Sequence, residues 1–259
     1  MKGTFTYDGS FQGLLTVLYD IYLLKITKPY VRSRFDRNQS LFNQNIDTIT
    51  DDEKSSQVLN KIKDQIGTQR TKMLFKVFLS EHPQAENIIV RYCMKLIDHG
   101  IESLEDFSDP IISQIKKIEK SVNRERHRMN AFIRFKEIEK GHYFAICSPD
   151  FDVLPLISDH FESRYQDQIW TIYDDKRNYG IHYNLQNVDF IQMQTLDQNI
   201  KKNQSISSRN FKMEQEFNYE MLWKTYFDKV NIASRRNTKL FTQHVPKRYR
   251  RYLTELGRN

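Results

Sequence analysis

Ala131-Phe132-Ile133-Arg134-Phe135-Lys136, followed beyond Gly141 by His142-Tyr143-Phe144-Ala145-Ile146-Cys147-Ser148, is the stretch that decides the fold. Ala131, Ile133 and Phe135 alternate with Phe132, Arg134 and Lys136, a period of two that belongs to strands, and Gly141 supplies a turn. A β-hairpin is expected. Pro149-Asp150 ends it, Asp152 is placed to cap a helix reaching about Tyr165, and a second alternating pair follows. That pair is Gln168 to Asp174 and Tyr179 to Asn184, around the polar turn Asp175-Lys176-Arg177-Asn178. Two hairpins linked by a helix indicate an α+β fold with an antiparallel sheet rather than a doubly wound parallel one.

Upstream the period is 3.6. Thr4 to Tyr7 alternates as a short strand, with a place as a possible fifth member of the sheet. Asp8-Gly9 turns, Ser10 can cap, and Leu14, Val17, Leu18 and Ile21 recur at helical spacing. Residues 36–53 are polar and read as a surface connection. Helical pattern resumes near Ser55, and His82-Pro83 separates Thr68 to Glu81 from a helix ending at Gly100, which predicts an antiparallel helix pair. Asp109-Pro110 opens a long helix whose apolar stripe is Ile111, Ile115, Ile118, Val122 and Met129. The expected organisation is an α+β domain over 1–197, with a helical part at about 10–129 and a hairpin-helix-hairpin part at about 130–185. A flexible linker over 198–210 follows, then a basic C-terminal helical segment over 211–259 packing on the main domain.

The chain has 259 residues, 39% hydrophobic and 13% aromatic, enough for a sizeable core. Eight Gly and six Pro, with a mean hydropathy of −0.70, exclude fibrous and membrane-embedded classes. The apolar run Leu14 to Ile26 is broken by Asp20 and Lys25, so no membrane association is expected. Two cysteines, Cys93 and Cys147, are too few for a disulfide scaffold, an iron-sulfur cluster or a Cys-rich zinc site. A reducing cytoplasm is the expected compartment, and with no glycine-rich phosphate loop no cofactor is expected.

Charge is unevenly spread. The chain carries 40 Lys+Arg against 33 Asp+Glu, a formal +7. From Trp223 to Asn259 there are ten bases and two acids, so the other residues hold thirty bases against thirty-one acids. The excess positive charge therefore sits in the tail, as in a footprint for a polyanion. In the helix opened by Pro246, Tyr249, Tyr252, Leu253 and Leu256 make the apolar stripe and are expected to pack inward. On the long helix Arg124, His127 and Arg128 point away from the stripe and Arg126 lies nearer its edge. The candidate nucleic-acid contacts are Arg124, Arg126, His127, Arg128, Arg134, Arg235, Arg236, Lys247, Arg248, Arg250 and Arg251.

An enzymatic alternative rests on Asp150, Asp174 and Lys176. Pro-Asp followed by Asp-x-Lys is the residue set with which metal-dependent nucleases hold Mg²⁺ and orient water. Here a whole helix separates the two acids and the second lies at a turn, where acids serve the backbone. No metal site is expected. A pure protein-interaction adaptor is the third class left open.

The segments His127 to Phe135, Pro149-Asp150-Phe151-Asp152-Val153-Leu154-Pro155-Leu156 and Ile169-Trp170-Thr171-Ile172-Tyr173-Asp174 resemble a bacterial family of probable DNA metabolism proteins, domain of unknown function 4130. Tyr7 to Phe11, Trp223 to Phe227, Arg235 to Asn237 and Val245 to Tyr249 fit the same pattern. The resemblance implies association with DNA and with a radical-SAM DNA modification or repair protein, or with a uracil-DNA-glycosylase-like domain. It implies no catalytic residue. A non-catalytic, DNA-binding accessory protein in DNA metabolism or repair is therefore the expected function.

Overall fold

The computed structural model describes residues 2–34, 45–192 and 245–253. The chain divides into two compact units, residues up to Asn123 and residues from Arg124 onward. The first opens with β1 (Lys2–Tyr7), α1 (Phe11–Leu23) and β2 (Lys28–Ser33). Ser10 caps α1, its hydroxyl accepting the Gly13 N–H at 2.9 Å and relieving one of the orphan donors at the helix start. β2 lies parallel to β1, and β3 (Asn45–Asp47) lies parallel along the other edge of β1. The N-terminal strand is thus not a fifth member of the hairpin sheet. It is the centre of a separate three-stranded sheet, because α1 returns the chain to run in the same direction.

Three helices follow in α2 (Asp52–Phe78), α3 (Ala85–His99) and α4 (Pro110–Phe132), the last of which carries the chain into the second unit. α2 bends at Gly67, whose φ of 77° is open to glycine at little cost. Leu14, Val17, Leu18 and Ile21 of α1 are buried, and the Phe11 ring meets Phe75 and Phe78 at 5.1 and 5.2 Å. The Asn87 amide of α3 closes the edge of β2, donating to the Val31 carbonyl and accepting the Val31 N–H, both at 2.9 Å. The buried stripe of α4 is Ile112, Ile115, Ile118, Val122, Glu125 and Met129. Ile112, not Ile111, begins it.

The second unit is a five-stranded sheet of β4 (Lys136–Glu139), β5 (His142–Cys147), β6 (Ile169–Asp174), β7 (Tyr179–Tyr183) and β8 (Val188–Gln192), in that spatial order. Both expected hairpins form, β4–β5 and β6–β7, and β8 adds antiparallel to β7. The sheet is mixed rather than antiparallel, since β5 and β6 pair parallel across α5 (Leu154–Arg164). A tight turn dictates direction within a hairpin, whereas a helix between hairpins carries the chain back to start again at the same end. The first hairpin begins at Lys136 rather than Ala131, because α4 continues to Phe132. Val153, not Asp152, stands at the start of α5. One sheet face buries Trp170, Ile172, Ile181 and Tyr183 with Leu154, Ile157 and Phe161 of α5, and the Trp170 ring lies 5.4 Å from Tyr183 and 6.2 Å from Phe161.

The tail closes this unit as a 3-10 turn over Lys247–Tyr252 rather than an α-helix. Val245, Tyr249 and Leu253 are buried there, the two latter as their spacing indicates, whereas Tyr252, expected on the same stripe, is half-buried because the turn is 3-10 and not α-helical. The expected linker, Arg235, Arg236, Leu256 and the side chain of Arg251 lie outside the described residues. Among the described residues no helix is long and apolar enough to cross a membrane.

Candidate functional site

The parallel strands β5 and β6 end side by side, Cys147 opposite Asp174. In sheets with parallel strands, the loops leaving their carboxyl ends converge, and such edges are where sites are built. Here the loop over 148–153 leaves β5 and the turn over 175–178 leaves β6. Glu125 of α4 and the tail turn arrive at the same edge.

Glu125 is the hub. It is 1% exposed, and its carboxylate accepts the Asp150 N–H at 2.8 Å and the Tyr249 hydroxyl. The guanidinium of Arg128 lies 3.4 Å away and that of Arg248 3.6 Å. A buried carboxylate without such donors would cost several kcal/mol. Burial, and then the bond to Glu125, push the Tyr249 phenol well above its ordinary pKa, so it remains a donor.

Asp174 is fully buried and serves its own turn. One oxygen accepts the N–H groups of Lys176 at 2.9 Å and Arg177 at 3.3 Å; the other takes the Arg177 guanidinium at 2.7 Å. Asn178, with φ 56°, completes the turn in the left-handed region that asparagine tolerates. Arg177 also donates to the Pro149 and Asp150 carbonyls, each at 3.2 Å, and the Lys176 ammonium donates to the Asp150 carbonyl at 2.9 Å. Asp152 accepts the Tyr179 hydroxyl, and burial followed by that carboxylate raises the Tyr179 pKa. The Cys147 thiol is pushed up by burial and then by Asp174, which makes it a poor nucleophile.

Arg248 stands at the rim of this network. Its guanidinium lies 4.5 Å from the centre of the Tyr249 ring, a cation–π distance, and it ion-pairs with the Asp150 carboxylate. The Arg248 and Asp150 side chains are 41% and 49% exposed.

Asp150, Asp174 and Lys176 are therefore brought to one edge, but their groups do not aim at a shared point. Among the described residues no three His, Cys, Asp or Glu side chains are grouped to hold a metal ion. What the arrangement does chemically is tie two loops, a helix and the tail together through carboxylates. Of the candidate cations, Arg124, His127 and Lys247 are exposed, while Arg126 and Arg250 are half-buried. Arg250 donates through Nε to the Val245 carbonyl at 3.3 Å. Arg134 donates to the Ala131 and Ile133 carbonyls at 2.6 and 3.2 Å, capping the end of α4.

Glu125, Arg177, Tyr179 and Tyr249 are site residues that sequence reasoning did not single out as such. Glu125 carried a signal, because it falls on the apolar stripe of α4 between Val122 and Met129, where a charge needs a buried partner. Three of the segments that carry the family resemblance, 149–156, 169–174 and 245–249, meet here, and the chain belongs to the family of the domain of unknown function DUF4130. The profile of the domain of unknown function DUF4130 matches residues 83–255. No curated protein matches the sequence. Among solved structures, a pGpG-specific phosphodiesterase from Vibrio cholerae, PggH, is similar at a TM-score of 0.36 and 7% identity, over 78% of this chain and 96% of that one. A likeness at that level carries neither fold nor activity across.

Proposed function

We propose that this protein is a non-catalytic accessory factor that holds DNA by its phosphates and presents it to a separately encoded modification or repair enzyme, of the radical-SAM or uracil-DNA-glycosylase-like kind. The observation that carries the reading is charge placement: ten bases against two acids from Trp223 to Asn259, in a chain otherwise close to neutral. The tail turn is seated on the second unit by the buried Tyr249, and Lys247 beside it faces solvent, as do Arg124 and His127 of α4. The carboxylates at the same edge are engaged by N–H groups, a phenol and guanidinium groups, which suits them to holding structure. Phosphate contacts position a protein without reading sequence, so no base preference follows.

The test is a titration of labelled single-stranded, duplex and uracil-containing DNA at two salt concentrations. Binding should weaken with salt at a slope of about 0.9 per phosphate contacted on duplex. Arg124→Glu combined with Lys247→Glu should weaken it on every sequence alike. No binding to any of these DNAs at low salt removes the proposal. Mg²⁺- or Mn²⁺-dependent cleavage that is lost in Asp150→Ala and Lys176→Ala would replace it with the nuclease reading.

A further inference from the structure

We infer that Arg248 is a phosphate-binding residue held in reserve by Asp150, and that nucleic acid binds by taking the place of the Asp150 carboxylate. The inference rests on the proposed function and adds an internal competitor to it. Both partners of the Arg248–Asp150 pair are at the surface, 41% and 49% exposed, and pairs so placed are weak and readily exchanged. The guanidinium itself is not loose. It lies over the ring of Tyr249, which is 1% exposed and anchored through its hydroxyl to Glu125. A planar donor fork fixed in place beside a displaceable carboxylate is suited to a phosphodiester, which offers the same paired oxygens with a full charge.

Asp150 is built so that its carboxylate alone can leave. Its N–H is held by Glu125 at 2.8 Å, and its carbonyl by Lys176 at 2.9 Å and Arg177 at 3.2 Å, so the loop stays fixed when the side chain swings away. Arg177 already has its charge met by the Asp174 carboxylate at 2.7 Å, so the part these two cations play is to hold the loop. Glu125, which also lies near Arg248 at 3.6 Å, has its charge met by Arg128, by Tyr249 and by the Asp150 N–H. It therefore opposes an arriving anion less than its distance alone suggests.

The experiment uses the full chain and a labelled single-stranded oligonucleotide. Asp150→Asn, which keeps size and removes charge, should tighten binding about 2- to 5-fold, the equivalent of a surface pair no longer competing. Asp150→Ala should do the same, which guards against an amide-specific effect, and thermal melts establish that both variants fold. In an Arg248→Ala background the gain should vanish. Wild-type binding left unchanged or weakened by both Asp150 substitutions overturns the inference, as does a gain that persists without Arg248, which would mark general repulsion instead. A wild type that binds no DNA at all defeats the proposed function itself, so the two failures are separable.

Discussion

Glu125 concentrates the structural demands of the second unit in one side chain. Removing it by Glu125→Ala leaves the Asp150 N–H and the Tyr249 hydroxyl without an acceptor, and Arg128 and Arg248 without a shared partner. The expected cost is about 3–5 kcal/mol, as for breaking a buried ionic cluster from one side. Tyr249→Phe removes a single donor and keeps the ring under Arg248, so about 1–3 kcal/mol is expected. Urea midpoints of the two variants check this, and equal, negligible shifts would show that the cluster does not support the fold. At this scale the sequence was half legible. A glutamate on the stripe between Val122 and Met129 announces that a buried charge needs partners. It cannot announce which, since the phenol that answers it lies 124 positions away.

Among the elements, both hairpins could be read from alternation and turn residues, and α4 from its stripe and its opening Asp109-Pro110. The parallel joint between β5 and β6 could not. Periodicity says that a segment is a strand and nothing of the direction in which it meets a strand beyond a helix. The alternation from Ala131 overlaps the end of α4 for a related reason, because the last turn of a helix and the start of a strand offer the same few apolar residues. Pairing in this sheet makes a close approach that can be tested. A Cβ at Gly180 of β7 would lie 2.7 Å from the Ile172 carbonyl of β6 and 3.4 Å from the Tyr173 Cα. Backbone cannot retreat as a flexible side chain would, so Gly180→Ala should cost about 1–3 kcal/mol. Chemical denaturation measures it, and a neutral result would mean that the two strands are more pliant than their register implies.

Across the whole molecule the α+β class was evident from the sequence, and so was the lodging of positive charge at the C-terminal end. The sequence changes from a helical part to a hairpin part at about 129–130, and the two compact units divide at Asn123 and Arg124, inside the continuous helix α4. Neither cysteine takes part in the site chemistry, yet their placement has a use. The chain has two, and they fall one to each unit, Cys93 at 2% exposed and Cys147 at 3%. Burial pushes the Cys93 thiol up to about 12, and burial, then Asp174, push the Cys147 thiol up as well. Neither should react with a thiol reagent in the native protein, and each should become reactive when its own surroundings open. Modification timed under mild denaturant, with Cys93→Ser and Cys147→Ser assigning the two signals, should give a separate opening rate for each unit. Fast reaction of either in native buffer would contradict its burial. The chain thus already holds a chemical clock in each half, and no probe has to be engineered to time them.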